Sequence, residues 1–144
     1  LDIKAPVYYV LVGSESRRLT ANVGAGKFNG TCVLPPYPRI MGTEVPAYAE
    51  AHTVELASVE FTDQFKDSVT AIALQLAMNL TDGEIFVLGY DGYPGNVLSE
   101  KEVSLTFENK TIFEAFKNAK GEQLKSLTLS LYKDLNIVSV YQYI

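Results

Sequence analysis

Val69-Thr70-Ala71-Ile72-Ala73-Leu74-Gln75-Leu76-Ala77-Met78-Asn79-Leu80-Thr81-Asp82-Gly83-Glu84-Ile85-Phe86-Val87-Leu88 is the stretch that decides the fold class. Val69, Ile72, Ala73, Leu76, Ala77 and Leu80 recur at the spacing of one helical stripe. Ala71, Leu74 and Met78 fill much of the other side, so the pattern predicts a largely buried helix over 69–80. Asp67 or Ser68 stands where a side chain can accept from the orphan N–H groups of the helix start. Asp82-Gly83 ends the helix, and Ile85-Phe86-Val87-Leu88 follows with no polar interruption, as in a strand covered on both faces. A helix, a short turn and an all-apolar strand in succession predict a parallel crossover.

Working outward from this unit, Tyr8 to Val12 reads as a buried strand ending at Gly13-Ser14. Glu15 to Val23 reads as a helix broken by Gly24 and Gly26. Thr31 to Leu34 is a second strand, stopped by Pro35-Pro36-Tyr37-Pro38 because proline cannot donate to a ladder. A loop runs to about Ala51, and Thr53 to Phe61 reads as a third strand. Towards the C-terminus, Ser99-Glu100-Lys101-Glu102 is a capping box that opens a helix with Leu105, Ile112, Phe113 and Phe116 on its inner face. Gly121 ends that helix beside Lys117 and Lys120. Leu124 to Leu131 and Ile137 to Tyr143 read as two final strands, the last with Val138, Val140 and Ile144 on one face and Ser139, Tyr141 and Tyr143 on the other. This alternation predicts an α/β fold, a Rossmann-like three-layer α/β/α sandwich with a mostly parallel sheet, built as one domain over 1–144.

The composition narrows the function classes. The chain has 144 residues, 47 % hydrophobic and 20 % charged, enough to bury a core without staples. The one cysteine, Cys32, lies in the apolar run Thr31-Cys32-Val33-Leu34 and reads as a buried structural thiol. Net charge is −5 with no run of Lys or Arg, so a nucleic-acid partner is not expected. No stretch reaches the roughly 20 apolar residues that span a bilayer, so no membrane partner is expected either. Leu1-Asp2-Ile3-Lys4-Ala5-Pro6 lacks the regions of a signal peptide, which favours a cytoplasmic domain taken from a longer chain. The Asn-x-Thr triplets at Asn29, Asn79 and Asn109 then read as chance matches.

Open parallel sheets bind ligands beyond the carboxyl ends of their strands, and four segments qualify. Gly89-Tyr90-Asp91-Gly92-Tyr93-Pro94-Gly95 places Asp91 at the sheet edge, where a carboxylate can accept from a hydroxyl, hold Mg²⁺ or act as a base; the same dipeptides also suit a tight turn. Gly13-Ser14, with Arg17, offers a helix start that attracts anions, or a plain turn. Pro36 and Tyr37 belong to a stiff loop that shapes a pocket or merely stops a strand. Asp67 and Ser68 either face a polar ligand or cap their helix. Ser130 and Tyr132 offer further polar contacts at a strand end.

Other matches fail. In Gly24-Ala25-Gly26-Lys27-Phe28 the first glycine of a P-loop would fall at Ala21, and Phe28 replaces the required hydroxyl. His52 is the only histidine and has no cysteine or histidine partner for zinc.

Phe28-Asn29-Gly30-Thr31-Cys32-Val33-Leu34-Pro35-Pro36-Tyr37-Pro38, Phe61-Thr62-Asp63-Gln64-Phe65-Lys66-Asp67-Ser68, Val87 to Gly95 and Ser126 to Tyr132 together resemble the C-terminal domain of bacterial aldolase-like proteins. Those proteins carry an N-terminal barrel similar to hydroxymethylglutaryl-CoA lyase and 4-hydroxy-2-oxovalerate aldolase, often in a surface-polysaccharide setting. The resemblance implies a Rossmann-like domain whose partner is its own N-terminal barrel. Lyase chemistry would belong to that barrel, which needs roughly 200 residues or more. A shorter likeness, covering Asp67–Leu80 and Glu84 to Asp91, is to sialyltransferase-like and pterin pyrophosphokinase-like proteins, where a Gly-x-Asp follows a strand at the binding edge.

Three functions follow. The first is an accessory domain binding a small anionic, sugar-like or nucleotide-type metabolite. Asp91 and Tyr93 would orient hydroxyls, Gly13, Ser14 and Arg17 would receive an anion, and Ser68, Ser130 and Tyr132 would add polar contacts. The second is a nucleotide-sugar-dependent transferase with Asp91 or His52 as base. The third is a docking or oligomerisation domain, suited by nine tyrosines and the acidic balance.

Overall fold

The computed structural model of the chain describes residues 5–13, 30–39, 43, 53–95 and 97–143. Every paired strand among them is parallel, and the fold is α/β. Among the described residues the paired strands fall in two three-stranded sheets, and the chain splits into two compact units. The first unit holds residues up to Glu60 and Lys66–Leu76; the second holds Phe61–Phe65 and residues from Ala77 onward.

In the first unit, β1 (Tyr8–Val10), β2 (Thr31–Leu34) and β3 (Thr53–Glu55) pair in the order β1-β2-β3. The central strand is the most apolar, and Cys32 and Val33 are fully buried there. Gly30 precedes β2 because a Cβ at this position would press on the Tyr9 ring and sit 2.8 Å from the Val7 carbonyl. The third strand is shorter than the expected Thr53 to Phe61. The Leu56 N–H still donates to Leu34 O, but the Glu60 N–H turns away and donates to the Gln75 side chain at 2.8 Å.

Helix α1 (Val69–Leu80) has the predicted bounds. The Ser68 hydroxyl caps it, accepting from the Thr70 N–H at 3.2 Å. Its buried residues are Thr70, Ala71, Ile72, Leu74 and Gln75, whereas the ends of the predicted stripe, Val69 and Leu80, are 51 % and 55 % exposed. The buried face is therefore turned from the expected one, and the buried Gln75, satisfied by the Glu60 amide, marks it.

In the second unit, β4 (Ile85–Val87), β5 (Leu124–Ser126) and β6 (Asn136–Ile137) pair in that order. The Glu84–Lys125 ion pair, at 2.5 Å, joins the start of β4 to β5. Strand β4 is apolar but not covered on both faces, since Phe86 and the following Leu88 are exposed. Helix α2 (Glu100–Lys120) begins as its capping box requires, with the Glu102 N–H donating to Ser99 Oγ at 3.2 Å. It ends at Gly121, whose φ of 69° is left-handed and whose N–H returns to Lys117 O. Its buried residues Ile112, Phe113 and Phe116 form the inner face, with Phe116 edge-on to Phe61 at 5.9 Å.

Two predicted strands end early for the same reason: a serine turns the chain. At the end of β5 the buried Ser126 hydroxyl donates to Thr128 O at 2.7 Å, where the chain bends. Beyond β6, Ser139 accepts from the Tyr141 N–H through its hydroxyl and from the Gln142 N–H through its carbonyl. The expected strand over Ile137 to Tyr143 is accordingly a short ladder followed by a 3-10 turn at Val140–Tyr143. Ile144, expected on one face of that strand, lies outside the described residues. Among the described residues no helix is long and apolar enough to cross a membrane.

Burial raises the Cys32 thiol above its ordinary ionisation range. The folded chain then holds the thiol proton more tightly than the unfolded chain, so stability falls as pH rises from the unfolded thiol's range towards the folded one. Labelling Cys32 requires an opening that costs several kcal/mol, so reaction with a thiol reagent is expected to be about a thousandfold or more slower in the native chain than in denaturant. Complete labelling of the native chain within the mixing time would show that β2 is not the closed strand described.

Candidate functional site

The three parallel strands of the second sheet end on the same side, and the chain beyond β4 and β5 continues in register without a regular ladder. Three hydrogen bonds join these two segments. The Gly89 N–H donates to Thr128 Oγ1 at 3.4 Å, the Ser130 hydroxyl donates to Tyr90 O at 2.5 Å, and the Leu131 N–H donates to Asp91 O at 2.8 Å. Gly89, Gly92 and Gly95 have left-handed φ of 82°, 89° and 121°, and the chain bends at Gly89 and Gly95.

Aromatic packing supports this edge from behind. Phe113 of α2 is T-shaped against Tyr90 and against Tyr132, with centroids 5.2 Å apart in both pairs. The Tyr132 hydroxyl accepts from the Asn109 side chain at 3.3 Å, one helical turn away from Phe113.

Two clefts open on the edge. The larger, about 710 Å³, is lined mainly by apolar atoms of Leu129, Leu131, Ile137 and Pro94, with Asp91, Thr128 and Ser130 as its polar members. The smaller, about 270 Å³, is lined by Tyr93, Thr106, Lys110, Tyr132 and Lys133. Gly92 and Leu131 line both. A Cβ on Gly92 would lie 3.0 Å from Leu131 Cβ, so glycine is required there by close approach as well as by φ.

Among the predicted site residues, Asp91, Tyr93, Ser130 and Tyr132 are gathered at this edge. Asp91 is exposed, its backbone carbonyl accepts from the Leu131 N–H, and the residue belongs to the lining of the larger cleft. Ser130 and Tyr132 are chiefly structural: the Ser130 hydroxyl holds Tyr90 O and the Tyr132 N–H, and Tyr132 is 7 % exposed.

Gly13, Pro36, Tyr37, Asp67 and Ser68 belong to the first unit. The Gly13 N–H, expected to receive an anion, donates instead to Thr43 Oγ1 at 2.7 Å. The loop bearing Pro36 and Tyr37 is closed by Arg39. Its guanidinium donates to Pro35 O at 2.9 Å and to the Tyr37 hydroxyl at 2.8 Å, lies 4.0 Å over the Tyr37 ring, and pairs with Glu55 at 2.7 Å. Tyr37 itself is 74 % exposed on this loop. Ser68 is a helix cap, as the plainer reading of it had it. Ser14, Arg17 and His52 lie outside the described residues.

Sequence reasoning missed Lys110, Lys133, Thr128, Leu129, Leu131 and Ile137. Thr106 and Lys110 sit one turn apart on the face of α2 that also carries Asn109 and Phe113, and that spacing was the available signal for the smaller cleft. As for a metal held through Asp91, among the described residues no three His, Cys, Asp or Glu side chains gather in one place.

Gly92 and Gly89 make a controlled pair. Alanine at Gly89, which has nothing within 4 Å, meets only the left-handed backbone penalty of roughly 1–2 kcal/mol. Alanine at Gly92 must also displace Leu131, adding about 1–3 kcal/mol of overpacking. Chemical denaturation is expected to rank Gly92→Ala below Gly89→Ala, and equal losses would mean that the Gly92–Leu131 approach is not tight. Comparison with protein-family models, curated proteins and solved structures gives no match.

Proposed function

We propose that the carboxyl edge of the β4-β5-β6 sheet binds a small metabolite that presents hydroxyl groups together with an apolar face. The observation that carries this reading is the larger cleft. It is mostly apolar, lies where three parallel strands end, and has one acidic residue, Asp91, in its lining. A sugar-like ring suits such a wall, because its C–H face packs on Leu129, Leu131 and Ile137 while Asp91 and Thr128 take its hydroxyls. In this reading the chain is an accessory domain of an aldolase-like protein, partnered by an N-terminal barrel in a cytoplasmic setting. The resemblance of Val87 to Gly95 and of Ser126 to Tyr132 supports that assignment. Parallel pairing within each sheet supports a Rossmann-like three-layer sandwich as the proposed arrangement.

One observation favours the docking alternative. Leu129, Leu131 and Ile137 are 81 %, 65 % and 51 % exposed, a patch that a protein surface can also cover.

A thermal-shift panel of nucleotides, nucleotide sugars, pterins and keto acids, each with and without Mg²⁺, separates the two. A ligand at about 100 times its dissociation constant adds roughly 2.7 kcal/mol, which raises Tm by several degrees. The expected result is a hit that Asp91→Ala abolishes while leaving the unliganded Tm within about 1 °C, since the Leu131 bond uses only the Asp91 backbone. A hit indifferent to Asp91→Ala, or no hit at all, would overturn the assignment.

A further inference from the structure

The geometry points to the smaller cleft as an anion subsite, taking a carboxylate or phosphate group carried on a small apolar body. It rests on the reading that this edge binds a small molecule, and it concerns the opposite side of the Gly92–Leu131 contact. The chain carries a net charge of −5, with 17 acidic and 12 basic residues, yet the lining of this cleft contains two lysines and no carboxylate. Lys117 and Lys125 pair with Glu122 and Glu84, but among the described residues neither Lys110 nor Lys133 pairs with a carboxylate. The two come from separate elements, Lys110 from α2 and Lys133 from the segment after β5. The Asn109–Tyr132 hydrogen bond and the Phe113–Tyr132 contact tie those elements together.

The rest of the lining is mainly apolar, from Tyr93, Leu131 and Tyr132. An anion held by both lysines beside an apolar wall would offset their like charges. The volume of about 270 Å³ lies just below the roughly 300–1,000 Å³ of small-molecule sites, which limits the ligand to one ring or a short chain with its charged group. Thr106 is not counted as a donor to the ligand, because its hydroxyl already donates to Glu102 O at 2.7 Å.

Benzoate, its neutral isostere benzamide and inorganic phosphate, titrated into the ¹⁵N-labelled chain of residues 1–144 and followed by amide chemical shifts, test this. The expected result is saturable benzoate binding that moves Gly92, Tyr93, Lys110 and Lys133. Benzamide should bind at least about tenfold more weakly, as should benzoate in the Lys110→Met/Lys133→Met variant, from loss of charge-assisted hydrogen bonds. Both lysines are exposed, so the variant is expected to keep the wild-type spectrum away from the cleft, which verifies its fold. Saturation by phosphate at the same amides would assign the charged group alone as the determinant. Failure of benzoate and phosphate to bind, equal binding of benzamide, or unchanged benzoate binding in the double variant would overturn the anion subsite. Shifts confined to Asp91, Thr128 and Ile137 would do the same while leaving the larger cleft as a binding site.

Discussion

Phe113 meets Tyr90 on one side and Tyr132 on the other, each ring pair T-shaped at 5.2 Å, and the whole carboxyl edge of the second sheet is organised by that wedge. Short strands of two or three residues supply few ladder bonds. What holds the segments after β4 and β5 side by side is the aromatic cluster behind them and three hydrogen bonds, Gly89 to Thr128, Ser130 to Tyr90 and Leu131 to Asp91.

The same residues explain how polar groups divide between structure and chemistry. Serines at 126 and 139 turn their hydroxyl or carbonyl onto nearby backbone where the strands end, and Ser130 holds the Tyr90 carbonyl. Tyr132 is anchored by Asn109 and Phe113. Once these are committed, Asp91 on the larger cleft and Lys110 with Lys133 on the smaller remain as the charged groups of the edge. Gly92 and Leu131 line both clefts.

Much of the local structure was legible because it is written in short-range chemistry. The bounds of α1, the Ser99 cap, the Gly121 stop and strand β2 follow from stripe, cap and apolar run. The placement of a cleft after Leu88 followed from the rule that parallel strands bind at their carboxyl ends. Long-range choices were not legible. Leu127, Leu129 and Leu131 alternate as a strand would, and nothing in that alternation announces that Ser126 will bond Thr128 and end the ladder. Likewise, Gly13 looked like an anion acceptor because its partner, Thr43, lies 30 residues away in sequence. Lys110 and Lys133 gain meaning only when α2 and the segment after β5 are brought together.

Amide hydrogen exchange along the chain, with and without the compound that most raises Tm, tests the central claim most directly. The carboxyl edge of the second sheet as the binding edge requires added protection confined to residues 88–95 and 127–133, with the rest of the chain unchanged. Protection falling instead on residues 30–39 or 53–60, or spread evenly over both units, would contradict it.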